Sequence, residues 1–419
     1  MLDRVADENL PVRIELGVRS RTGHSWHRQD GMNDAASMPS PEARSSGGSS
    51  ERGRDRIVAA SEEGAWAGAV HGGVALAEDV QGEAVAPVSS AADIKRLARA
   101  FRASKVLLTA VELGLFTVLA AQPLDADRLR DRLGLHPRAA RDFFDVLVAL
   151  GLLRYQDGTY ANTALSAQVL DRAEPGYIGA AFERHGGRTY DYWGGLTHAL
   201  LTGQPQSEAR TDDDLYSALY NDAEELRAFQ KAMTARSAPA ASVLAERFSW
   251  QDHRVVVDIG ASEGDLLIRV LRRHPHLTGI GLDLPAVRPV FDEYVTAQGL
   301  ADRLSFTGAD FFTAPFPAGD VVVLAHILHN WDLPTRRMLL RKAYEALPPA
   351  GQVVIVEMLI DENRRSAPAL LRSLNMLIQT SGGGAFTAAE AGDWLAEAGF
   401  RQVRVAPLSG AESMLVAEK

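Results

Sequence analysis

The sequence predicts an α/β protein: a Rossmann-like, doubly wound sheet with an antiparallel last strand, preceded by a mostly helical, winged-helix-like domain. Two observations predict it. From Arg254 onward, short β-branched runs such as RVVVD (Arg254–Asp258), DVVVLA (Asp320–Ala325) and GQVVIVE (Gly351–Glu357) alternate with stretches of helical length. This is the pattern of βαβ units, with helices on both faces of a mostly parallel sheet. Between Ile94 and Tyr160, apolar residues recur at helical spacing and end on an Asp-Gly hairpin signal.

In chain order, the first helical run is Ile94–Ala120, with Gly114 as a stop. A helix over Asp125–Leu133, a break at Gly134–Pro137 and a helix over Arg138–Leu150 follow. Gly151–Tyr155 and Thr159-Tyr160, joined through Gln156-Asp157-Gly158, read as a β-hairpin. Three helices and a hairpin suit either DNA binding or a dimerisation or lid module. The acidic residues Asp125, Asp127, Asp131, Asp142 and Asp145 around the helix pair favour the second use. The second region brings strands at Arg254–Asp258, Leu277–Asp283, Leu304–Thr307, Asp320–Ala325 and Gly351–Glu357. Its helices are Asp265–Arg273, a stretch ending near Gln298, Pro334–Leu347 and Thr387–Ala398. Phe400–Val405 and Ser413–Ala417 form a closing hairpin.

Composition narrows the function. The chain has 419 residues, with 54 acidic and 44 basic side chains and a net charge of −10, so phosphate backbones find no electrostatic footprint and nucleic acid is not an expected partner. Cysteine is absent, which excludes disulfides, thiolate nucleophiles and Cys-ligated metals. No run of about 18 apolar residues is present to span a membrane. Residues 1–87 form a separate N-terminal extension. Within it, Ser37–Arg54 (SMPSPEARSSGGSSERGR) holds too few apolar residues to repay ordering and is expected to be disordered. No basic start leads into an apolar core, so a signal or transit peptide is not expected and a cytoplasmic location follows. The winged-helix-like domain is placed at 88–180 and the alternating domain at 181–419.

Ligands of doubly wound sheets bind at the carboxyl ends of the strands, so the strand ends carry the argument. The first ends in Asp258-Ile-Gly260-Ala-Ser-Glu-Gly264, a tight turn that brings backbone N–H groups close to a ligand. A third glycine is missing and Glu263 adds negative charge, which suits a cationic ligand better than a pyrophosphate. The second strand ends in Gly281-Leu282-Asp283-Leu284-Pro285, where a carboxylate can accept from both hydroxyls of a ribose. The third ends in Asp310-Phe311-Phe312, a carboxylate for an exocyclic amine beside a ring for an adenine face. The fourth ends in His326-Ile-Leu-His329-Asn330-Trp331. His329 is a candidate general base, since an imidazole titrates near neutrality. A His-x-x-His pair can also ligate a metal, but neither Cys nor a third ligand of obvious spacing accompanies it, so no metal is expected.

In their order and spacing, these four strand ends resemble the class I S-adenosylmethionine-dependent methyltransferases. More narrowly, the chain is similar to small-molecule O-methyltransferases of plants and actinobacteria, of the caffeic acid, acetylserotonin and polyketide-tailoring type. The likeness extends from about Ala91 to the C-terminus and includes Phe229–Met233 with Ser237, and Gly382-Gly383 to Thr387 before Ala398-Gly399-Phe400. It implies that Gly260 and its neighbours, from Asp258 to Gly264 and with Ser237, cradle the methionine part of the cofactor. It further implies that Asp283, with Leu284, holds the ribose, and that Asp310 and Phe311 bracket the adenine. His329 matches the family's base and Glu357 the acid that orients it; Phe229, Met233, Met376 and Thr380 match the acceptor pocket. Three positions depart from the family: Ala261-Ser262 in the glycine loop, Asn330 for an aspartate, and Ala385 for a second supporting acid. The aromatic cluster of His185, Tyr190, Tyr192 and Trp193 suits a lid over a flat substrate, or packing between domains.

The expected activity is methyl transfer from S-adenosylmethionine to a hydroxyl of an aromatic or polyketide-like small molecule in bacterial secondary metabolism, antibiotic biosynthesis included. The alternatives are C- or N-methylation or a non-methylating relative on the same fold, then a winged-helix regulator and NAD-dependent redox chemistry. The resemblance also implies a homodimer formed through the N-terminal helices.

Overall fold

The computed structural model describes residues 58–59, 87–207 and 223–419. Residues 1–57 and 60–86, most of the expected extension, lie outside the described residues. So does the side chain of His185. Val58–Ala59 (β1), inside the expected N-terminal extension, form a two-residue strand at a sheet edge.

The helical domain opens with Ala91–Leu97 (α1), Phe101–Glu112 (α2) and Leu115–Ala121 (α3). The single run expected over Ile94–Ala120 is thus broken twice. Arg99 and Ala100 donate to carbonyls three residues back, which tightens the first break. Gly114 supplies the second with a left-handed φ of 66°. Ala126–Arg132 (α4) starts on Asp125, whose side chain accepts from the N–H of Arg128. Ala140–Ala149 (α5) leads to Leu153–Gln156 (β2) and Thr159–Asn162 (β3), paired antiparallel. Their turn has positive φ at both Asp157 and Gly158, the geometry of a type I′ hairpin. Ala164–Leu170 (α6) closes this unit. Leu115, Phe116, Leu129, Phe144, Leu147 and Tyr160 share its core.

Among the described residues, no single helix is long and apolar enough to cross a membrane. The bent pair Ala91–Glu112 and Leu115–Ala121 passes on length and composition, but its apolar residues from Ala110 to Leu119 are buried in the helical core.

Three helices that the sequence reading left unassigned come next: Gly179–Gly194 (α7), Leu196–Thr202 (α8) and Ala223–Arg247 (α9). The sheet strands are Val255–Ile259 (β4), Thr278–Asp283 (β5), Leu304–Gly308 (β6), Val321–Ala325 (β7), Gln352–Glu357 (β8), Arg401–Pro407 (β9) and Ser413–Glu418 (β10). The helices among them are Asp265–Arg273 (α10), Arg288–Ala297 (α11), Leu333–Ala346 (α12), Ala367–Gln379 (α13) and Ala388–Ala398 (α14). Strand order is β1-β9-β10-β8-β7-β4-β5-β6. Strands β8, β7, β4, β5 and β6 are mutually parallel, and β10 runs antiparallel between β8 and β9, as expected. The chain leaves β4 toward β5 and β6, then returns to the other side of β4 with β7. That reversal is the switch point at which such sheets bind ligands.

The inner strands β4, β7, β8 and β10 bury both faces because helices cover each side. Leu244, Leu267, Val270 and Phe291 from α9, α10 and α11 pack on one face. Leu339, Leu340, Trp394 and Leu395 from α12 and α14 pack on the other. Asp332 caps α12 through the N–H of Thr335, and Thr387 with Glu390 forms a reciprocal capping box on α14.

Candidate active site

Register brings the first three strand tips level. Asp258 lies opposite Gly281, and Asp283 opposite Gly308. The N–H groups of Gly260 and Ala261 both donate to the carbonyl of Leu282, at 2.8 and 3.2 Å, which folds the turn back over β5. Gly260 has φ 75°, and a Cβ there would meet Cδ1 of Ile327 at 2.5 Å, so the cradle depends on glycine. Asp283 accepts from the N–H of Ser262 at 2.8 Å on one oxygen and from that of Leu284 at 2.7 Å on the other. These bonds orient the carboxylate and leave each oxygen a lone pair for a ligand hydroxyl. Burial pushes Asp283 up to about 6, against the pull of the two N–H donors. Asp258, buried beneath the turn, is pushed up to about 8 by burial and by the charge of Asp283.

Other tip residues behave differently. Glu263 does not stay free as an anionic group in the turn. It is buried, hydrogen-bonded to Thr234 on α9, and burial raises its pKa. The Ser237 hydroxyl donates to the carbonyls of Met233 and Thr234 in its own helix. Asp310 accepts from the N–H of Phe312 at 2.8 Å. The rings of Phe311 and Phe312 meet edge-on, and both meet Trp331. Lys342 on α12, which sequence reasoning missed, donates to the carbonyls of Phe311, Phe312 and Ala314 at 2.7 to 2.8 Å and pins this loop. A lysine on an amphipathic helix gives no signal of such a role, because its partners are main-chain carbonyls from a distant loop.

Beyond β7, a 3₁₀ turn over Leu328–Asn330 carries His329, buried at 7% exposure. Its Nδ1 lies 2.7 Å from Oε2 of Glu357, at the end of β8, and its backbone N–H donates to Oε1 at 3.2 Å. Burial pushes the Glu357 carboxyl up, but the His329 imidazole and its hydrogen bond more than reverse this, so it titrates below the usual range. An ionised Glu357 holds the proton on Nδ1 and leaves Nε2 as the basic nitrogen. The loop after α13 fixes the turn from outside. Gly384 donates to the carbonyl of His329 at 2.9 Å, and a Cβ on Gly383 would fall 2.7 Å from that same oxygen. Arg336, also missed, donates to Leu328 and Gly384 and joins turn to loop.

The residues expected at the acceptor come from helices. Arg372, Met376 and Thr380 share one face of α13 at four-residue spacing. Arg372 reaches His329 at 3.5 Å, so this face looks onto that imidazole. Met376 and Thr380 are both buried, and the Thr380 hydroxyl accepts from the N–H of Gly383 at 2.8 Å. Trp193 on α7 donates from Nε1 to Asn375 Oδ1 on α13 at 3.2 Å, which ties the expected lid to the acceptor helix. Tyr190 instead lies under the Lys105 ammonium of α2. Phe229 and Met233 share a face of α9 with Arg236, whose charge acts on His326 and Glu412.

His326 has φ 58°, a strained value for a non-glycine residue. Its buried Nδ1 lies 3.7 Å from Glu412 Oε2, and neither atom has a hydrogen-bond partner among the described residues. His326, His329 and Glu357 offer ligand atoms within 4.8 Å of one another, so the third ligand that spacing did not reveal is supplied in space by Glu357. The guanidinium groups of Arg372 and Arg236 face the same side chains and oppose a bound cation.

A turn that cradles at Gly260, a ribose-type carboxylate at the next tip, an adenine-type pair at the third and a buried His-Glu dyad at the fourth define a class I methyltransferase. Comparison with known proteins agrees. The O-methyltransferase domain model matches residues 193–401, and the O-methyltransferase dimerisation domain model matches residues 95–172. The tetracenomycin polyketide synthesis 8-O-methyl transferase TcmO of Streptomyces glaucescens is 40% identical over 329 residues, 78% of this chain and 96% of that one. The N,N-dimethyltransferase OxyT of Streptomyces rimosus is 36% identical over 76% of this chain and 92% of its own. Among solved structures, PigF with SAH aligns at a TM-score of 0.72 with 26% identity, over 79% of this chain and all of that one. Human N-acetylserotonin methyltransferase in complex with SAM aligns at 0.69 with 26% identity, over 80% and 99%. The chain belongs to the O-methyltransferase family and is an S-adenosylmethionine-dependent methyltransferase.

Proposed function

We propose that this enzyme methylates a hydroxyl oxygen of an aromatic or polyketide-like small molecule in bacterial secondary metabolism, with His329 as general base. The observation that carries the reading is the buried His329–Glu357 pair, whose Nδ1 contact makes Nε2 the nitrogen that takes a proton. When bound, the cofactor supplies a methyl group on a positive sulfur that departs as a neutral thioether. The residues present fit that group: Gly260 gives the close approach, Asp283 keeps lone pairs for the ribose, and the buried Oγ of Ser262 has no partner among the described residues. Asp258, Gly264 and Leu284 shape the same turn, and Asp310 with Phe311 takes the adenine end.

A phenol of pKa about 10 holds its proton at neutral pH. As its oxygen attacks the methyl carbon, Nε2 accepts that proton and Glu357 stabilises the imidazolium. Such a base contributes roughly 10²–10⁴ in rate. Phe229, Met233, Met376 and Thr380 hold the acceptor, and Trp193 covers it. We read residues 88–180 as the dimerisation domain and 181–419 as the catalytic domain. Ile94, Leu97 and Phe101, each more than half exposed and spaced by three and four, supply an apolar stripe for a second copy. We place the enzyme in the cytoplasm.

Labelled S-adenosylmethionine incubated with a panel of phenols and amines tests the reaction. Label on oxygen, with release of S-adenosylhomocysteine, is expected. Label only on nitrogen establishes the second reading, N-methylation, which the likeness to OxyT favours.

A further inference from the structure

Arg372 is the part of the site that the proposed reaction leaves unused. It is half-buried on α13, with a guanidinium nitrogen 3.5 Å from His329 Nε2. Among the described residues, no carboxylate lies within ion-pair distance of it. A guanidinium can only donate, so it covers the lone pair that must receive the acceptor's proton. Turnover therefore requires Arg372 to find another oxygen.

Charge makes the requirement sharper. Once His329 is protonated, an imidazolium stands beside a guanidinium, with the carboxylate of Glu357 on its far side and that of Glu412 beyond His326. Arg236, acting on His326 and Glu412, adds a further cation to the neighbouring cluster. Neither carboxylate is within ion-pair distance of Arg372, so a negative charge on the acceptor suits its guanidinium. Met376, buried, follows one turn along the same face of α13 and offers an apolar surface beside that charge.

Building on the methyl-transfer reading, we propose that Arg372 recognises an acidic oxygen, a carboxylate or vinylogous acid, carried by the aromatic acceptor beside the hydroxyl that is methylated. The fork of the guanidinium grips that oxygen, which uncovers Nε2 and directs the neighbouring hydroxyl onto it. Arg372 is thus a specificity and positioning residue that ties release of the base to arrival of the correct substrate.

The test uses 3-hydroxy-2-naphthoate and 2-naphthol with the full chain, its Arg372→Leu and Arg372→Lys variants, and labelled S-adenosylmethionine. Calorimetric titration of both compounds into protein loaded with S-adenosylhomocysteine gives a second readout. The wild type is expected to favour the carboxylated compound by about 10- to 100-fold in kcat/KM and in affinity. The ratio should fall to about 1 in Arg372→Leu and lie between in Arg372→Lys, with cofactor affinity intact as evidence of folding. A ratio near 1 in the wild type, a ratio that survives Arg372→Leu, or binding of neither compound overturns the inference. Label on oxygen without preference removes this inference and leaves methyl transfer standing. Arg372-dependent binding of the carboxylate with no transfer of label does the reverse.

Discussion

In the proposed reading, the cofactor side of the site is made from tips of adjacent strands, whereas the acceptor side is made from α9, α13 and the loop over residues 382–385, far apart in sequence. At the tips, main-chain hydrogen bonds do the positioning: Gly260 to Leu282, Ser262 and Leu284 to Asp283, and Phe312 to Asp310. On the acceptor side, side chains reach side chains, through Trp193 to Asn375 and Arg372 to His329. A ligand that is the same in every turnover suits a rigid backbone cradle, while an acceptor that differs among relatives is read by side chains that can change without disturbing the sheet.

This division can be broken from either side. The largest expected effect is on His329→Ala, which should lose about 10²–10⁴ in kcat while cofactor affinity stays within twofold, measured by turnover and calorimetry. Loss of cofactor binding in that variant would show that the two sides are not separable. Asp283→Ala should act in the opposite way and weaken cofactor binding by about 10- to 100-fold. In the wild type, ionised Asp283 accepts from the ribose, so cofactor affinity should fall as pH drops through about 6 and flatten in the variant.

Asp258 supports the cradle at a cost that depends on pH. Its folded pKa of about 8 lies above the ordinary carboxylate value, so the native state holds a proton that the unfolded chain has released. Its contribution is therefore complete below about 4 and is lost as pH rises through about 8. Asp258→Asn should gain on the wild type over that window, by at most about 1.4 kcal/mol per pH unit, read from urea midpoints at each pH. The smallest effect is expected at Trp193→Phe, which removes one hydrogen bond to Asn375. It should raise acceptor KM by about 2- to 10-fold and leave cofactor affinity unchanged.

Much of this was legible in the sequence for identifiable reasons. Strands β4 to β8 were readable because β-branched runs between turn residues have few other solutions, and Asp283, Asp310 and His329 were readable because each stands at the end of such a run. Helices α9 and α13 were not. Helix α9 is rich in alanine and has charges all round, and it carries Pro239 internally, so no apolar stripe marks it. Its orientation comes from tertiary contacts: Ala240, Leu244 and Ala245 pack in the core, and the charge of Arg236 acts on His326 and Glu412. Glu263 looked like part of the ligand site from its neighbours in sequence, yet in space its nearest partner is Thr234, 29 positions earlier.

By itself the sequence determined the order of strands and helices, the four chemically loaded strand ends and, from the joint pattern of those ends, the class of reaction. Local rules suffice there, since turns, caps and alternation are set by residues within a few positions of one another. Only the tertiary structure decided which nitrogen of His329 is held, how Lys342 and Arg336 brace the loops, and that a guanidinium from α13 covers the base. Those contacts join residues 28 to 48 positions apart, and their energies depend on burial and distance, neither of which a linear string contains.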